Sequence, residues 1–220
     1  MTEAELLTRA ERLCGHTLGD LAARIDRPVP TELRRAKGWV GQLIEALLGA
    51  HHTSAPGPDL PALGIEIKTV PIDSKGRPRE STWVCSAPLG ADADCDWLRS
   101  PPKAKLARVL WMPVQAAPDL KIAERRVGSC LLWSPNSAQE RILRDDWNDL
   151  AGLIAAGWAQ SATAHRGTAL QLRPKAADAS ITAWGIDNEG APIRVRPLGF
   201  YLRRPFVEKI LAHHFQMTGG

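Results

Sequence analysis

The sequence has few cysteines, no long apolar run and no signal peptide, and each absence argues against a class of protein. Its 220 residues include only four cysteines, Cys14, Cys85, Cys95 and Cys130, with no CxxC pair, which argues against a zinc site or a disulfide scaffold. No run of about 18 apolar residues occurs, so no membrane-spanning segment is expected, and no membrane is expected among the partners. The opening residues from Met1 to Glu5 lack the basic head and apolar stretch of a signal peptide, which predicts a cytoplasmic protein.

Charge of one sign is not strongly in excess. The 28 basic and 24 acidic residues give a net charge of +4, which is only a weak indication of an anionic partner. The basic residues are unevenly spread, however. From Arg99 to Arg126 seven basic residues accompany two acidic ones, and from Arg194 to Lys209 five accompany one. Such stretches are usually solvated faces, but beside a nuclease motif they favour contact with phosphates.

Hydrophobic periodicity and turn signals predict a mixed α/β protein. We expect helices near the N-terminus, over 17–25, 38–48 and 137–154, and from Pro205 onwards. The Thr2/Glu5 and Ser137/Glu140 pairs are capping boxes that predict two of the helix starts. Strands are expected over 63–72, 81–87, 107–114, 130–133, 169–173 and 193–202. The length suits one domain over 1–220, built as two lobes that share a core.

The stretch from Asp59 to Lys68 carries the most informative chemistry. Side chains alternate along a strand, so Glu66 and Lys68 share one face, roughly 6–7 Å apart along the chain. Ile65 and Ile67 take the opposite face and can pack in a core. If Asp59 folds back beside Glu66, two carboxylates offer oxygen ligands to a divalent cation such as Mg²⁺. Such a group can support metal-assisted phosphodiester hydrolysis.

The acid-x-Lys pattern alone is common. It also occurs at Asp73/Lys75 and Asp119/Lys121, both in turn-like sequence. The alternative interpretation of Glu66/Lys68 is an exposed ion pair of little energetic value. Glu45, outside the apolar stripe of its helix, is either a third carboxylate of the site or an ordinary exposed glutamate, and the pattern does not choose.

A family resemblance extends over nearly the whole chain. The segments that carry it are, in order, KGWVG (37–41), EALLGA (45–50), ALGIEIKTVPIDS (62–74), RVLWMPV (108–114), RRVGS (125–129), LLWSPN (131–136), LRPKAA (172–177) and GFYL (199–202). Together they closely resemble the MutH family, the endonucleases of methyl-directed DNA mismatch repair within the restriction-endonuclease-like superfamily.

The resemblance implies a fold and an activity. The fold is a mixed β-sheet flanked by helices, with two lobes that form a DNA cleft. The activity is nicking of the unmethylated strand 5′ of the guanine in hemimethylated GATC sites. It implies Mg²⁺ as cofactor, with Mn²⁺ as a substitute and Ca²⁺ as an ion that binds without supporting cleavage. It further implies double-stranded DNA as substrate, activation by MutL after MutS finds a mismatch, and a monomer.

The resemblance also assigns roles to residues. Asp59 and Glu66 would hold the metal, together with the carbonyl of Ile67. Lys68 would orient or activate the attacking water. Glu45 would complete the metal shell, either directly or through a water molecule. These four side chains form the expected catalytic set.

Other residues match the family's DNA contacts. Lys37 and Lys105 correspond to lysines near the active site, and Arg173, Pro174 and Lys175 to its base-reading loop. Cationic side chains suit guanine acceptors in the major groove. Tyr201 matches a tyrosine near the adenine that carries or lacks the methyl group. Trp83 occupies an aromatic position that suits either the core or a place near DNA.

The sequence departs from the family pattern at Ala107, where a basic residue is expected, and at Cys130, where proline is usual. Two other functions remain open on the sequence. One is a type II restriction endonuclease that cuts both strands of GATC, although the chain has a single catalytic motif. The other is a DNA-binding module without catalysis, although the Asp59, Glu66 and Lys68 set is intact.

Overall fold

The computed structural model describes residues 1–33, 36–50, 57–90, 96–161, 166–175 and 181–218, with side chains up to residue 214. Of the residues named above, Cys95 and residues 176 and 177 of the segment LRPKAA lie outside this part. The described α-helices are α1 (Glu3–Glu11), α2 (Leu18–Ala23), α3 (Trp39–Leu48), α4 (Pro101–Leu106), α5 (Ser137–Ala155) and α6 (Arg204–Thr218). None of them is both long and apolar enough to cross a membrane.

The strands form three small sheets. They are β1 (Glu66–Ile72), β2 (Thr82–Ser86), β3 (Val109–Gln115), β4 (Leu131–Trp133), β5 (Leu170–Pro174), β6 (Ala183–Ile186), β7 (Pro192–Val195) and β8 (Leu198–Leu202). Their orders are β1-β3-β4, β2-β8-β5 and the hairpin β6-β7. The mixed α/β prediction is therefore confirmed.

The chain divides into two compact units. The first comprises Met1–Glu80, Ala107–Ser134 and Ile210–Gly220, and the second comprises Ser81–Leu106 and Pro135–Lys209. The sheet β1-β3-β4 belongs to the first unit, and the other two sheets belong to the second.

The first unit is built around the parallel pair β1 and β3, in which Lys68 lies beside Trp111. Residues 109–114 of β3 are all buried, as is typical of a strand covered on both faces. Helices α1 to α3 supply a large part of the core, with Leu6, Leu21 and Leu43 fully buried. Helix α1 begins with the predicted capping box, in which the Thr2 hydroxyl accepts from the Glu5 N–H.

The second unit is built on the antiparallel sheet β2-β8-β5, with α5 packed against β5. Trp147 of α5 is buried, and its ring centroid lies 4.9 Å from that of Phe200 on β8. Arg173 of β5 lies opposite Gly199, and Gln171 lies opposite Tyr201. The side chains of Arg173 and Tyr201 thereby share one face of this sheet.

Three element predictions need correction. Strand β1 begins at Glu66, because residues 61–64 form a turn. The predicted strand 193–202 is two strands, β7 and β8, separated by Arg196 and Pro197, because proline lacks the N–H that a continuous ladder requires. Helix α5 is capped by Asn136, whose side chain accepts from the N–H groups of Ala138 and Gln139, so Ser137 is the first helical residue and not the cap.

Candidate active site and nucleic-acid interface

The acid and lysine of β1 form a buried ion pair in the first unit. Lys68 Nζ lies 2.5 Å from Glu66 Oε1, and the Glu66 side chain is only 2% exposed. The two residues share a face because they are two positions apart on a strand. The alternative interpretation, an exposed ion pair, is therefore wrong. Burial strengthens the electrostatic interaction and makes loss of either partner costly.

Asp59 folds back onto this strand, an arrangement that the sequence allows. The turn that precedes β1 is closed by two backbone hydrogen bonds between Leu60 and Ile65, 2.9 and 3.3 Å long. Beyond it, Asp59 Oδ2 accepts a 2.9 Å hydrogen bond from the N–H of Ile67. The second carboxylate is thereby fixed to the peptide unit between Glu66 and Ile67.

The opposite face of β1 anchors the arrangement. Ile65 and Ile67 are 0% and 4% exposed and belong to the core that α3 covers. A one-residue shift of the strand would bury Lys68 in that core, so packing fixes the register of the ion pair.

Glu45 of α3 is half-buried beside the same strand. A Cβ atom added at Gly41, one turn earlier, would lie 3.5 Å from Glu45 Oε1 and 3.7 Å from the hydroxyl oxygen of Thr69. The carboxylate of Glu45 therefore lies near Thr69, whose side chain is on the Ile67 face of β1, opposite the face of Glu66 and Lys68.

The fit of this region to a divalent cation rests on two carboxylates. In the part of the chain that the structure describes, no three acidic, histidine or cysteine side chains cluster as a metal site. Mg²⁺, however, is usually held by one or two carboxylates and keeps several of its waters. Asp59 and Glu66 supply two carboxylates, and the side chain of Asp59 is held at the N–H of Ile67, next to Glu66 along β1.

The other two acid-x-Lys pairs differ from the first. The Asp73 carboxylate accepts hydrogen bonds from the N–H groups of Lys75 and Arg77 and also pairs with the Arg77 guanidinium. The Arg77 backbone N–H and side chain lower the pKa of Asp73 to about 2. This acid therefore stabilises a turn. Asp119 and Lys121 are both exposed.

A cationic–aromatic patch, which consists of Trp83, Arg173, Lys175 and Tyr201, lies on the β2-β8-β5 sheet of the second unit. The rings of Trp83 and Tyr201 meet edge to face with centroids 5.1 Å apart. The Arg173 guanidinium lies 5.7 Å from the Tyr201 centroid, and Lys175 Nζ lies 5.4 Å from that of Trp83. Both cations are exposed and available to an anionic ligand.

Two features of the sheet shape this patch. The pairing of β2 with β8 shifts register between Trp83 and Cys85, an irregularity of the kind that redirects side chains. The Trp83 ring lies directly over Gly199, where an added Cβ would come within 2.1 Å of it. A side chain at position 199 would displace the indole.

The remaining predicted DNA contacts are more dispersed. Pro174 is exposed between the two cations of the patch. Lys37 is exposed immediately before Gly38, the N-cap of α3 in the first unit. Lys105 is half-buried on α4 in the second unit.

Several residues that support the patch were not predicted from the sequence. The hydroxyl oxygens of Ser81 and Ser86 accept hydrogen bonds of 3.2 and 2.9 Å from Arg173 and Lys175. No motif indicates these serines, because their partners are about 90 residues away. Asp146 of α5 is 8% exposed and accepts from the N–H groups of residues 168, 169 and 170, thereby fixing the start of β5. An available signal was its position in the apolar stripe between Leu143 and Leu150.

Comparison with known proteins identifies the family of this chain. Residues 48–146 match the family model described as "DNA mismatch repair enzyme MutH". The chain is 47% identical over 214 residues to the DNA mismatch repair protein MutH of Escherichia coli K12 and 47% identical over 213 residues to that of Serratia proteamaculans. It is 48% identical over 214 residues to that of Salmonella newport. Each alignment covers 97% of this chain and 93% of the relative. The chain therefore belongs to the MutH family of DNA mismatch repair endonucleases.

Proposed function

We propose that this chain is a Mg²⁺-dependent endonuclease that nicks the unmethylated strand 5′ of the guanine in hemimethylated GATC sites. The observation that carries the proposal is the buried Glu66–Lys68 pair, with Asp59 held beside it, in a member of the MutH family. A structural ion pair alone would not require the second carboxylate.

In this proposal Asp59, Glu66 and the Ile67 carbonyl hold the cation. When bound, Mg²⁺ polarises the phosphate and favours ionisation of a bound water. Mn²⁺ would substitute for it, whereas Ca²⁺ would bind without supporting cleavage.

The protein's own groups position the reacting atoms. The Lys68 ammonium, held 2.5 Å from Glu66 Oε1, would orient the attacking water and stabilise charge that develops on the phosphate. The Asp59 carboxylate cannot swing away without losing its hydrogen bond to the Ile67 N–H. Glu45, beside Thr69, would complete the metal shell through water.

We assign recognition of the DNA base sequence to the second unit. Arg173 and Lys175 would donate to guanine acceptors in the major groove, with Pro174 shaping the loop between them. Tyr201, in contact with Arg173, would lie near the adenine N6, where an added methyl group alters packing and removes a donor.

The proposal extends to partners and compartment. The enzyme would act as a cytoplasmic monomer, since nicking one strand needs one catalytic unit. It would be activated by MutL after MutS detects a mismatch. Lys37 and Lys105 would contact phosphates of the DNA, which is the sequence-independent role that lysines serve.

A nicking assay on circular DNA tests the proposal. The DNA carries one GATC site in unmethylated, hemimethylated or fully methylated form and is incubated with Mg²⁺ or a chelator, with and without MutL. Nicks confined to the unmethylated strand and stimulated by MutL are expected. Double-strand breaks without MutL would favour a restriction enzyme, and binding without cleavage would indicate a DNA-binding module.

The Tyr201→Ala variant tests methyl sensing in the same assay. We expect weaker discrimination between unmethylated and fully methylated GATC, with nicking of the unmethylated site retained. Unchanged discrimination would remove Tyr201 from this role.

A further inference from the structure

The β6-β7 hairpin of the second unit presents one packed and one open face. Trp184 pairs with Arg194, and Gly185 with Ile193, so Trp184 and Arg194 share a face. Val195 is 7% exposed, and a Cβ atom added at Gly185 would lie 3.3 Å from a backbone carbonyl oxygen outside the hairpin, so this face packs against the rest of the unit. Trp184, in contrast, is 61% exposed.

The open face carries a stacked cation–aromatic pair. The Arg194 guanidinium lies 4.2 Å from the centroid of the Trp184 ring. Within the residues that the structure describes, Arg194 forms no ion pair, so its charge remains available to a ligand. Exposed tryptophan and arginine are the residue types that most often dominate binding surfaces.

The acidic residues of the hairpin lie toward its turn. Asp187 Oδ1 accepts hydrogen bonds from the N–H groups of Glu189 and Ala191, 3.0 and 2.8 Å long, so that carboxylate closes the turn. Arg196, just beyond β7, is exposed and adds a second cation at the other end. The open face is therefore cationic where Trp184 lies.

This face continues the cationic–aromatic patch. A cavity of about 250 Å³ is lined by Trp184, Lys175 and Ser86, among others. Lys175 also lies over Trp83 in the patch. The hairpin pair Arg194–Trp184 is thus a cation–aromatic contact like the pairs Arg173–Tyr201 and Lys175–Trp83 of the patch.

We propose that the open face of the hairpin, formed by Trp184 and Arg194, binds the sugar–phosphate backbone of duplex DNA flanking the recognition sequence. Arg194 pairs with a phosphate, and the indole packs against deoxyribose, so the contact adds affinity without reading bases. The inference rests on the proposed function, because it assumes that the patch binds the GATC site.

Binding to duplexes of different length tests the inference. Fluorescence anisotropy compares a GATC duplex with about three flanking base pairs on each side and one with about twelve, for the wild type, Trp184→Ala and Arg194→Gln. Trp158→Ala is the matched control, since Trp158 is a 52% exposed tryptophan of the same unit. Thermal melting of each variant checks the fold.

We expect the wild type and Trp158→Ala to bind the long duplex more tightly than the short one. Both hairpin variants should lose about tenfold in affinity for the long duplex, and Arg194→Gln should lower the slope of log K against log salt by about one. Binding to the short duplex should be unchanged.

Equal affinity and salt dependence of wild type and hairpin variants on the long duplex would overturn the inference while leaving the proposed function intact, provided that the wild type nicks GATC. Failure of the wild type to bind GATC duplexes would overturn both. Normal DNA binding with lost stimulation by MutL would mean that this face contacts protein, which also contradicts the inference.

Discussion

The β1 ion pair and the cationic–aromatic patch use charge in opposite ways. In the first unit Glu66 and Lys68 are buried and neutralise each other, and the nearby Asp59 is held by a backbone N–H. In the second unit Arg173 and Lys175 are exposed and lie against aromatic rings and serine hydroxyls. A chemical step benefits from groups fixed in a low-dielectric setting, whereas ligand recognition needs charge that remains accessible.

Loss of the buried carboxylate should have the largest effect. We expect Glu66→Gln to slow nicking by at least about 10²-fold, because it removes one of the two carboxylates that would hold the cation, while DNA binding persists. The measurement is single-turnover nicking beside anisotropy binding.

This variant also leaves the Lys68 ammonium buried without its carboxylate, which can destabilise the fold by about 3–5 kcal/mol. The double variant Glu66→Gln/Lys68→Met removes both charges and should regain stability yet stay inactive. Recovery of nicking in the double variant would mean that Glu66 acts only on stability.

The next largest effect is expected from a change at Asp146, which holds the start of β5 and so supports the patch. Asp146→Asn removes the negative charge that accepts from the N–H groups of residues 168–170 and replaces one oxygen by an amide NH2, which cannot accept from the N–H of Thr168, so these hydrogen bonds weaken. We expect the free energy of unfolding to fall by about 1–3 kcal/mol. Urea titration measures it.

Asp145→Asn is the matched control, since Asp145 is the exposed neighbour on the same helix and should change stability by less than about 0.5 kcal/mol. Equal effects of the two substitutions would show that the hydrogen bonds of Asp146 do not stabilise the start of β5.

Base reading by the patch is tested with Arg173→Gln. A cation that pairs with guanine discriminates against a wrong base pair by about 1–3 kcal/mol, so the variant should bind GATC and single-substituted sites more equally. Competition binding measures the ratio. Arg204→Gln, an exposed arginine of the same unit, should leave the ratio unchanged. If both variants weaken binding without altering the ratio, Arg173 contacts only phosphate.

The smallest expected effect is on the reactivity of Cys14, a half-buried cysteine outside both regions. A hydrogen bond from the Cys130 thiol lowers the pKa of Cys14 to about 7 from an ordinary value near 9. Alkylation of Cys14 by iodoacetamide should therefore rise with a midpoint near pH 7, because the thiolate is the reactive form. Mass spectrometry of the Cys14 peptide follows the reaction. In Cys130→Ala the midpoint should move up toward pH 9, and an unchanged profile would contradict the assignment.

The sequence predicted more of the β1 ion pair than of the cationic–aromatic patch. Alternation along β1 placed Glu66 and Lys68 on one face, and turn residues allowed Asp59 to return, because both relations are local. Burial of the pair could not be predicted, since it depends on what covers the strand. The contacts of Arg173 with Tyr201 and Ser81 depend on the pairing of β5 with β8 and on residues about 90 positions away.

The ends of helices and the registers of strands also depend on packing that the sequence does not reveal. Asn136 and Ser137 are both good helix caps, and only the position of the backbone selects Asn136. The register shift between Trp83 and Cys85 has no local signal, so the packing of Trp83 over Gly199 was beyond the sequence.

The most direct test resolves the two strands during a single turnover on hemimethylated GATC duplex with Mg²⁺, for the wild type and for Glu66→Gln/Lys68→Met, with binding measured in parallel. We expect the wild type to cleave the unmethylated strand alone, and the variant to bind equally well without cleaving either strand. Cleavage by the variant at the wild-type rate, or cleavage of both strands by the wild type, would contradict this expectation.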